Sequence, residues 1–265
     1  MTSPANNNLQ TFGEHLDSLR KVLFRIVMVV LVLSIVMFAL KNTLFELILA
    51  PCSPDFVTFK FVNEILGFVG IDNQLYKDDI GLITTGLSSQ FMAHMSLALY
   101  MGLLVTSPYI VYELFGYVSP ALHEKKHSIR LGLAVYLLFI MGLLLSYFIL
   151  FPVACRFLAT YHVSERVSAM ISLDSYISTF VSLTIMMGIV FQLPIIALIM
   201  AKLGLIDNVI MKQYRKHVFI VILLLAAIIT PPDVMTLILV SAPLYFLYEF
   251  SIIIVKLNLA TAKKK

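Results

Sequence analysis

Residues 177–201, ISTFVSLTIMMGIVFQLPIIALIMA, form an uncharged and mostly apolar run. The hydrocarbon core of a bilayer is about 30 Å thick, so roughly 20 apolar residues in a helix are enough to cross it. The run is continuous rather than alternating, which favours a helix over a barrel strand. Residues 177–201 are therefore predicted to form a transmembrane helix.

Five further apolar runs lie along the chain, at residues 22–40, 91–112, 131–153, 216–230 and 234–255. The last two are joined by Thr230-Pro231-Pro232-Asp233, which predicts a tight turn because two prolines cannot continue a helix. The segments without charges on either side of this turn have only about 13–15 residues, or about 20–22 Å of helix. We expect a short helical hairpin, unless flanking apolar residues complete the two spans.

The composition excludes a soluble protein. Of the 265 residues, 60% are hydrophobic and 13% are charged, and the mean hydropathy is +0.95. Soluble domains are roughly 45–50% apolar, and disordered chains are polar and highly charged. The 2 cysteines exclude a disulfide scaffold and a four-cysteine zinc site. We predict an all-α polytopic membrane protein, with residues 1–265 forming a single membrane domain.

The distribution of basic residues predicts the orientation. If the N-terminus is inside and six spans alternate, 14 of the 19 Lys and Arg residues face inward and 5 face outward. Both termini are therefore expected in the cytoplasm, with a long outer loop at 51–89. In this loop Val57, Phe59 and Phe61 alternate with polar residues, which predicts a short strand or a surface-hugging segment. Cys52 and Cys155 lie near outer span ends and are either a disulfide or two buried thiols.

Prolines are spread through the bundle. They lie at Pro108, Pro120, Pro152, Pro194 and Pro243. Proline removes a backbone donor and kinks a helix, so we expect a bent, concave bundle rather than a straight one.

Motifs of catalysis are missing from the sequence. It contains neither a G-x-x-x-x-G-K-[ST] phosphate loop nor an H-E-x-x-H zinc motif, so we expect no enzyme activity, no cofactor and no metal. An intramembrane hydrolase would need a serine facing a histidine, and His94 and Ser241 are the candidates. A structural role for this histidine is the simpler interpretation.

Polar residues inside the spans need an explanation because they are costly in a bilayer. Gln192 precedes Pro194 and either satisfies the kink or receives a partner helix. Glu249 could pair with Lys256 or with Lys202. Asp233 is placed to cap the sixth helix.

Six motifs, in chain order, resemble the TatC family, the large membrane subunit of twin-arginine protein translocases. They are HLDSLRKVL at 15–23, SPALHEKK at 119–126, FP at 151–152, FQLP at 191–194, TPPD at 230–233 and YE at 248–249. The resemblance implies a glove-shaped, multi-pass protein of the bacterial inner membrane. It also implies a receptor for twin-arginine signal peptides that exports folded proteins with TatA- and TatB-type subunits and other copies of itself. The proton-motive force would drive this export, and nucleic acid would take no part.

The resemblance also implies site residues. Glu124 aligns with the family's recognition acid across a two-residue gap, and Arg20 belongs to the N-terminal motif. Ser18 stands where the family usually has Glu, so Glu14 and Asp17 are expected to substitute for it. Guanidinium groups are held by carboxylates, which fits this assignment. The alternatives are that Asp17 pairs with Lys21 and that Glu124 favours the start of the third helix.

The partner-docking residues implied for the hairpin and the fourth span are Gln192, Thr230, Thr236 and Leu237. Leu237 stands where the family often has a polar residue, which leaves the two threonines as the polar candidates in the hairpin. A different class of function, a proton-coupled secondary transporter of a small solute, is the alternative. Transporters of that kind usually have repeated halves, and no repeat is visible in the sequence.

Overall fold

The computed structural model describes residues 12–68, 80–118, 125–161, 170–230 and 233–262. These residues are mostly helical. The helices are α1 Phe12–Ala39, α2 Lys41–Leu49, α3 Val57–Phe68, α4 Ser89–Val118, α5 Lys125–Leu145, α6 Phe151–Thr160, α7 Leu173–Val190, α8 Leu193–Lys202, α9 Asn208–Gln213, α10 Arg215–Ile229 and α11 Val234–Ala262. A 3₁₀ turn, Ala50–Cys52, follows α2, and a π-helical turn, Ser146–Leu150, joins α5 to α6. Strands β1 Leu82–Ile83 and β2 Ile171–Ser172 pair in parallel, with Leu82 opposite Ile171.

Five helical segments in the described ranges are long and apolar enough to cross a membrane. They are Leu16–Ala39, Ser89–Leu114, Leu131–Thr160, Leu173–Lys202 and Val234–Leu257. Each overlaps a predicted span. The remaining predicted span corresponds to α10, whose 15 residues extend about 22 Å. The expectation that the sixth span is also short is wrong, because α11 continues past Glu249 and offers a 24-residue apolar segment, Val234–Leu257. The helical membrane class is confirmed, whereas a sixth crossing and the positions of the termini stay predictions.

The predicted strand around residues 57–61 is wrong, because these residues begin helix α3. Val57 and Phe61 are 64% and 62% exposed, whereas Phe59 is 2% exposed. Residues four apart share a helix face and residues two apart lie on nearly opposite faces. Over five residues, a helix with one buried position therefore produces the same alternation as a strand.

The π-helical turn lies directly before Pro152 and makes a contact with α3. Proline has no N–H, so the Phe148 carbonyl four residues earlier loses its usual helical donor. The hydroxyl of Thr58 donates to that carbonyl instead. Phe56 stacks on Phe148 with ring centroids 5.8 Å apart. The start of α3 thus packs on this span at the place where Pro152 disrupts the regular helical hydrogen bonds.

The chain divides into two compact units, residues 1–40 with 98–136, and residues 41–97 with 137–265. The core of the second unit lies where α11 packs against α8 and α10. Val240, Leu244 and Val255 of α11 are fully buried there, and Ala226 of α10 is too. The hydroxyl of Tyr248 donates to the Met211 carbonyl at 2.7 Å, which ties α11 to α9.

Two glycines allow α5 and α7 to approach closely. A Cβ atom on Gly142 would lie 2.6 Å from the Met187 carbonyl oxygen, and one on Gly188 would lie 2.6 Å from the Phe139 ring. Such distances are well inside van der Waals contact. Small residues commonly allow close packing between membrane helices, because association there depends on packing rather than on the hydrophobic effect.

Gly142→Ala is expected to lower the free energy of unfolding by about 1–3 kcal/mol, because the added methyl group meets backbone that must move. Gly81→Ala is the matched control, since a Cβ atom at Gly81 has nothing within 4 Å. The measurement is the melting temperature of each purified variant in one detergent. Equal melting temperatures for the two variants would contradict the close approach of α5 and α7.

Candidate functional site

Helices α1 and α4 touch at two points in the first unit. A Cβ atom on Gly102 would collide with Ser34 Oγ and lie 2.8 Å from Ser34 Cα, so the backbones almost touch there. The second point is an ion pair, with Arg25 Nη1 3.2 Å from Glu113 Oε1. Arg25 lies about 14 Å towards the N-terminus from Ser34, and Glu113 about 17 Å towards the C-terminus from Gly102. The two helices are therefore antiparallel.

Glu113 is the more buried residue of this ion pair. Its side chain is 9% exposed, against 57% for Arg25. The hydroxyl of Tyr109, one turn earlier on α4, donates to Glu113 Oε1 at 2.7 Å. A desolvated carboxylate is stable only when it is paired and hydrogen-bonded. Glu113 is consequently committed to holding α1 against α4.

A second ion pair of the same composition lies in the other unit. Arg215 Nη2 is 2.6 Å from Glu249 Oε2, and the Tyr245 hydroxyl donates to Glu249 Oε1 at 3.3 Å. The expectation that Glu249 pairs with Lys256 or Lys202 is wrong. The packing of α10 against α11 brings Arg215, at the start of α10, to the carboxylate. In both units a Tyr-x-x-x-Glu segment meets an arginine of another helix, and this recurring spacing is the sequence signal that could have revealed Glu113.

Asp17 differs from the other described acids on the predicted inner side. Glu113 and Glu249 are in ion pairs, and Asp207 caps α9 by accepting from the Ile210 N–H at 2.7 Å. Asp17 is exposed and makes no ion pair or hydrogen bond to any residue whose side chain is described. Its alternative pairing with Lys21 is therefore not seen. None of the described side chains occupies this carboxylate, which suits it to bind an outside cation.

The other predicted recognition residues are placed as follows. Arg20 is exposed on α1, one turn after Asp17. Glu14 lies in the first turn of α1, three residues before Asp17, with its side chain outside the description. Residues three apart on a helix share a face. Glu124 lies outside the described residues.

Gln192 lies at a break between helices. Its own N–H bonds the Ile189 carbonyl at 3.0 Å rather than the Gly188 carbonyl, so the i→i−4 pattern stops. The side-chain Nε2 donates to the Gly188 carbonyl at 3.3 Å. Pro194 follows in the first turn of α8. The amide thus replaces a hydrogen bond that the break removes, which supports the kink-satisfying interpretation.

The polar residues of the hairpin formed by α10 and α11 point inward. Asp233 caps α11, accepting from the Thr236 N–H at 2.7 Å and also from the Thr236 hydroxyl. The Thr230 hydroxyl donates to the Ala226 carbonyl at 2.9 Å. Thr230 and Thr236 are 7% and 1% exposed, and Leu237 is partly exposed. Neither threonine therefore presents a free hydroxyl at the hairpin surface.

The outward surface of the hairpin is apolar instead. It consists of Leu224, Ile228, Val234, Met235 and Ile238, each more than half exposed. We name these five residues the hairpin face. An apolar face of this kind suits lipid tails or another apolar helix, and it offers a water-soluble partner no polar contact.

The residues that a hydrolase would need are not brought together. The Ser241 hydroxyl donates to the Ile238 carbonyl of its own helix at 3.1 Å. The His94 ring packs against Phe45, with centroids 5.8 Å apart. Among the described residues no group of three or more His, Cys, Asp or Glu side chains could hold a metal ion.

Long apolar helices define this chain as an α-helical, multi-pass membrane protein. The sequence profile of the family described as Sec-independent protein translocase protein (TatC) matches residues 14–243. The chain belongs to this family, and its general role is protein transport.

Individual relatives agree with this assignment. The TatC protein of Blattabacterium sp. subsp. Periplaneta americana is 33% identical over 264 residues, covering 97% of this chain and 98% of the relative. TatC of Aquifex aeolicus is 36% identical over 71% of this chain and 78% of its own length. Two crystal structures of the twin-arginine translocase receptor TatC superpose with TM-scores of 0.71 and 0.73, at 32% and 30% identity. They cover 92% and 91% of this chain, and 99% of each solved chain is matched.

Proposed function

We propose that the chain is the signal-peptide receptor and scaffold subunit of a twin-arginine translocase. It lies in the bacterial inner membrane with both termini in the cytoplasm, and it exports folded proteins using the proton-motive force. The observation that carries the receptor role is that Asp17, exposed near the start of α1, makes no ion pair or hydrogen bond to any residue whose side chain is described, whereas the other described inner acids are already engaged. The similarity to solved twin-arginine translocase receptors supports the same role.

Recognition of the signal peptide follows from the chemistry of guanidinium groups. Each arginine of the pair presents a planar fork of N–H donors that a carboxylate accepts bidentately. Glu124 accepts one arginine, and Asp17 with Glu14 accepts the other. Arg20, next to Asp17 on α1, donates to carbonyl groups of the peptide backbone. The Arg25–Glu113 pair fixes α1 on α4 and so positions the acids of the N-terminal helix start.

Partner subunits dock on the membrane-embedded surface of the hairpin. The single helices of TatA- and TatB-type subunits pack on the hairpin face, and lipid or other copies of this chain cover the rest. Because α10 extends only about 22 Å, the bilayer around the hairpin is thinned. Thr230, Thr236 and Asp233 support this surface from within, Leu237 lies at its edge, and Gln192 offers a polar contact beside its own bond to Gly188.

Cysteine crosslinking tests this docking surface. A cysteine at Ile228, which is 77% exposed, is expected to form a disulfide with a cysteine scanned along the helix of a TatA- or TatB-type partner. A cysteine at Ala226, which is 0% exposed, is the matched control and should not crosslink. Both variants would be made in a background with Cys52 and Cys155 replaced by serine. Crosslinking at neither position, with normal protein levels, would exclude the hairpin face as the docking surface.

Export of a folded reporter tests the function as a whole. A fluorescent protein that folds in the cytoplasm and carries a twin-arginine signal should leave the cytoplasm of cells that have this chain and remain in the cytoplasm of cells that lack it. A protonophore should stop its export. If the reporter still leaves cells without this chain, while uptake of a small solute fails in them, the transporter alternative is correct and the receptor proposal is wrong.

A further inference from the structure

Two cysteines distant in sequence meet in the second unit. Cys52 ends the 3₁₀ turn after α2, and Cys155 lies in α6. The 3₁₀ turn packs directly on α6, and the Cys155 thiol interacts with the Cys52 thiol. Both residues are buried, and neither is in a disulfide in the structure. The fold thus makes neighbours of two cysteines that are 103 positions apart, and such proximity is what a disulfide requires.

The backbone before Cys52 is held in place by two tyrosines. The Tyr176 hydroxyl of α7 donates to the Ile48 carbonyl at 2.6 Å, and the Tyr147 hydroxyl donates to the Leu47 carbonyl at 2.7 Å. Tyr176 also interacts with Cys52 itself. These bonds fix the last turn of α2 against the helices that flank Cys155. The two thiols are thus brought together by contacts that do not depend on a bond between them.

A cavity of about 130 Å³ adjoins the pair. Cys155 lines it together with Tyr176, Ser175 and Ile171. Cys155 therefore borders open space on one side.

We propose that Cys52 and Cys155 form a structural disulfide in the mature protein, made by a disulfide-bearing thiol oxidant of the outer compartment. One cysteine thiolate attacks the oxidant's disulfide and forms a mixed disulfide. The second thiolate then attacks that bond and releases the oxidant as a dithiol. The two cysteines lose two electrons and two protons, and the oxidant gains them. Burial slows the reaction once the protein has folded, so the bond forms while the segment containing Cys52 is docking on α6.

The bond links the end of α2 to α6 across about 100 intervening residues. The disulfide stabilises this region together with the Thr58 and Phe56 contacts, which hold the start of α3 on the π-helical turn. The inference rests on the proposed function in one respect, because only the proposed topology places both cysteines on the oxidising side.

The test uses the full chain in its native membranes. Free thiols are first blocked with N-ethylmaleimide in denaturant, and the sample is then reduced and labelled with a maleimide carrying a polyethylene glycol chain. The proposal predicts a gel shift of two labels for the natural chain and no shift for Cys52→Ser or Cys155→Ser. No shift for the natural chain would show that both thiols were free and would overturn the proposal.

A topology control separates this failure from a failure of the proposed function. In a Cys52→Ser, Cys155→Ser background, a cysteine at the exposed Thr85 should react with a membrane-impermeant maleimide added to intact cells. Labelling at Thr85 combined with free native thiols would overturn the disulfide alone. Absence of labelling at Thr85, when the same cysteine reacts in opened membranes, would overturn the topology and the disulfide together.

Discussion

Replacing Arg25 with alanine is expected to lower the free energy of unfolding by about 3–5 kcal/mol, because the Glu113 carboxylate is left buried without its cation. The Glu113 side chain is 9% exposed and lies 3.2 Å from the Arg25 guanidinium. The Tyr109 hydroxyl alone cannot replace a full charge. The measurement is the fraction of folded protein during denaturation in mixed micelles, together with the amount of protein in the membrane.

Two control variants make this result specific. Arg25→Met combined with Glu113→Met removes both charges and should recover most of the loss, since an apolar pair of similar volume is often as stable as a buried ion pair. Lys60→Ala removes an exposed pair with Asp55, whose side chains are 64% and 86% exposed, and should cost less than about 1 kcal/mol. If Arg25→Ala is as stable as Lys60→Ala, Glu113 does not depend on Arg25.

Glu124→Gln is expected to weaken binding of a twin-arginine signal peptide more than tenfold. Loss of one charge-assisted bidentate pair in a partly desolvated site costs about 1.5–3 kcal/mol. The double variant Glu14→Gln with Asp17→Asn should cost a similar amount, because Asp17 is exposed and pairs with no side chain that the structure describes. Affinity would be measured by fluorescence anisotropy of a labelled peptide at one fixed salt concentration.

The matched control for these variants is Asp207→Asn. Asp207 is an exposed acid of the predicted inner side, but it caps α9, and asparagine caps a helix as well as aspartate does. Its affinity should equal that of the natural chain. Equal affinity for Glu124→Gln, with intact protein levels, would remove Glu124 from the site. A comparable loss for Asp207→Asn would show that net charge, rather than a specific carboxylate, attracts the peptide.

Features set by local sequence were the predictable ones. Long uncharged runs such as 177–201 could be assigned because bilayer thickness fixes the length of a spanning helix. The Pro231-Pro232 pair predicted the break between α10 and α11, and Asp233 has the residue type and position expected of a helix cap. The five-residue alternation at Val57–Phe61 led to the wrong prediction of a strand, because it is too short to distinguish a strand from a helix with one buried side.

Features that depend on packing between distant segments could not be read in the same way. The partner of Glu249 is Arg215, 34 residues away, and nothing local to either residue selects it over Lys256. The pairing of Glu113 with Arg25 follows from the contact between Ser34 and Gly102, which places the two charges at the same level.

The most direct test of the receptor role is the binding of a signal peptide to the purified chain alone, reconstituted in lipid nanodiscs. Two peptides would be compared, one with the arginine pair and one with two lysines in its place. Lysine keeps the charge but cannot bind a carboxylate bidentately. We predict that the arginine peptide binds at least about tenfold more tightly than the lysine peptide, a difference of about 1.4 kcal/mol. Equal affinities for the two peptides, or no binding of either, would contradict the receptor role.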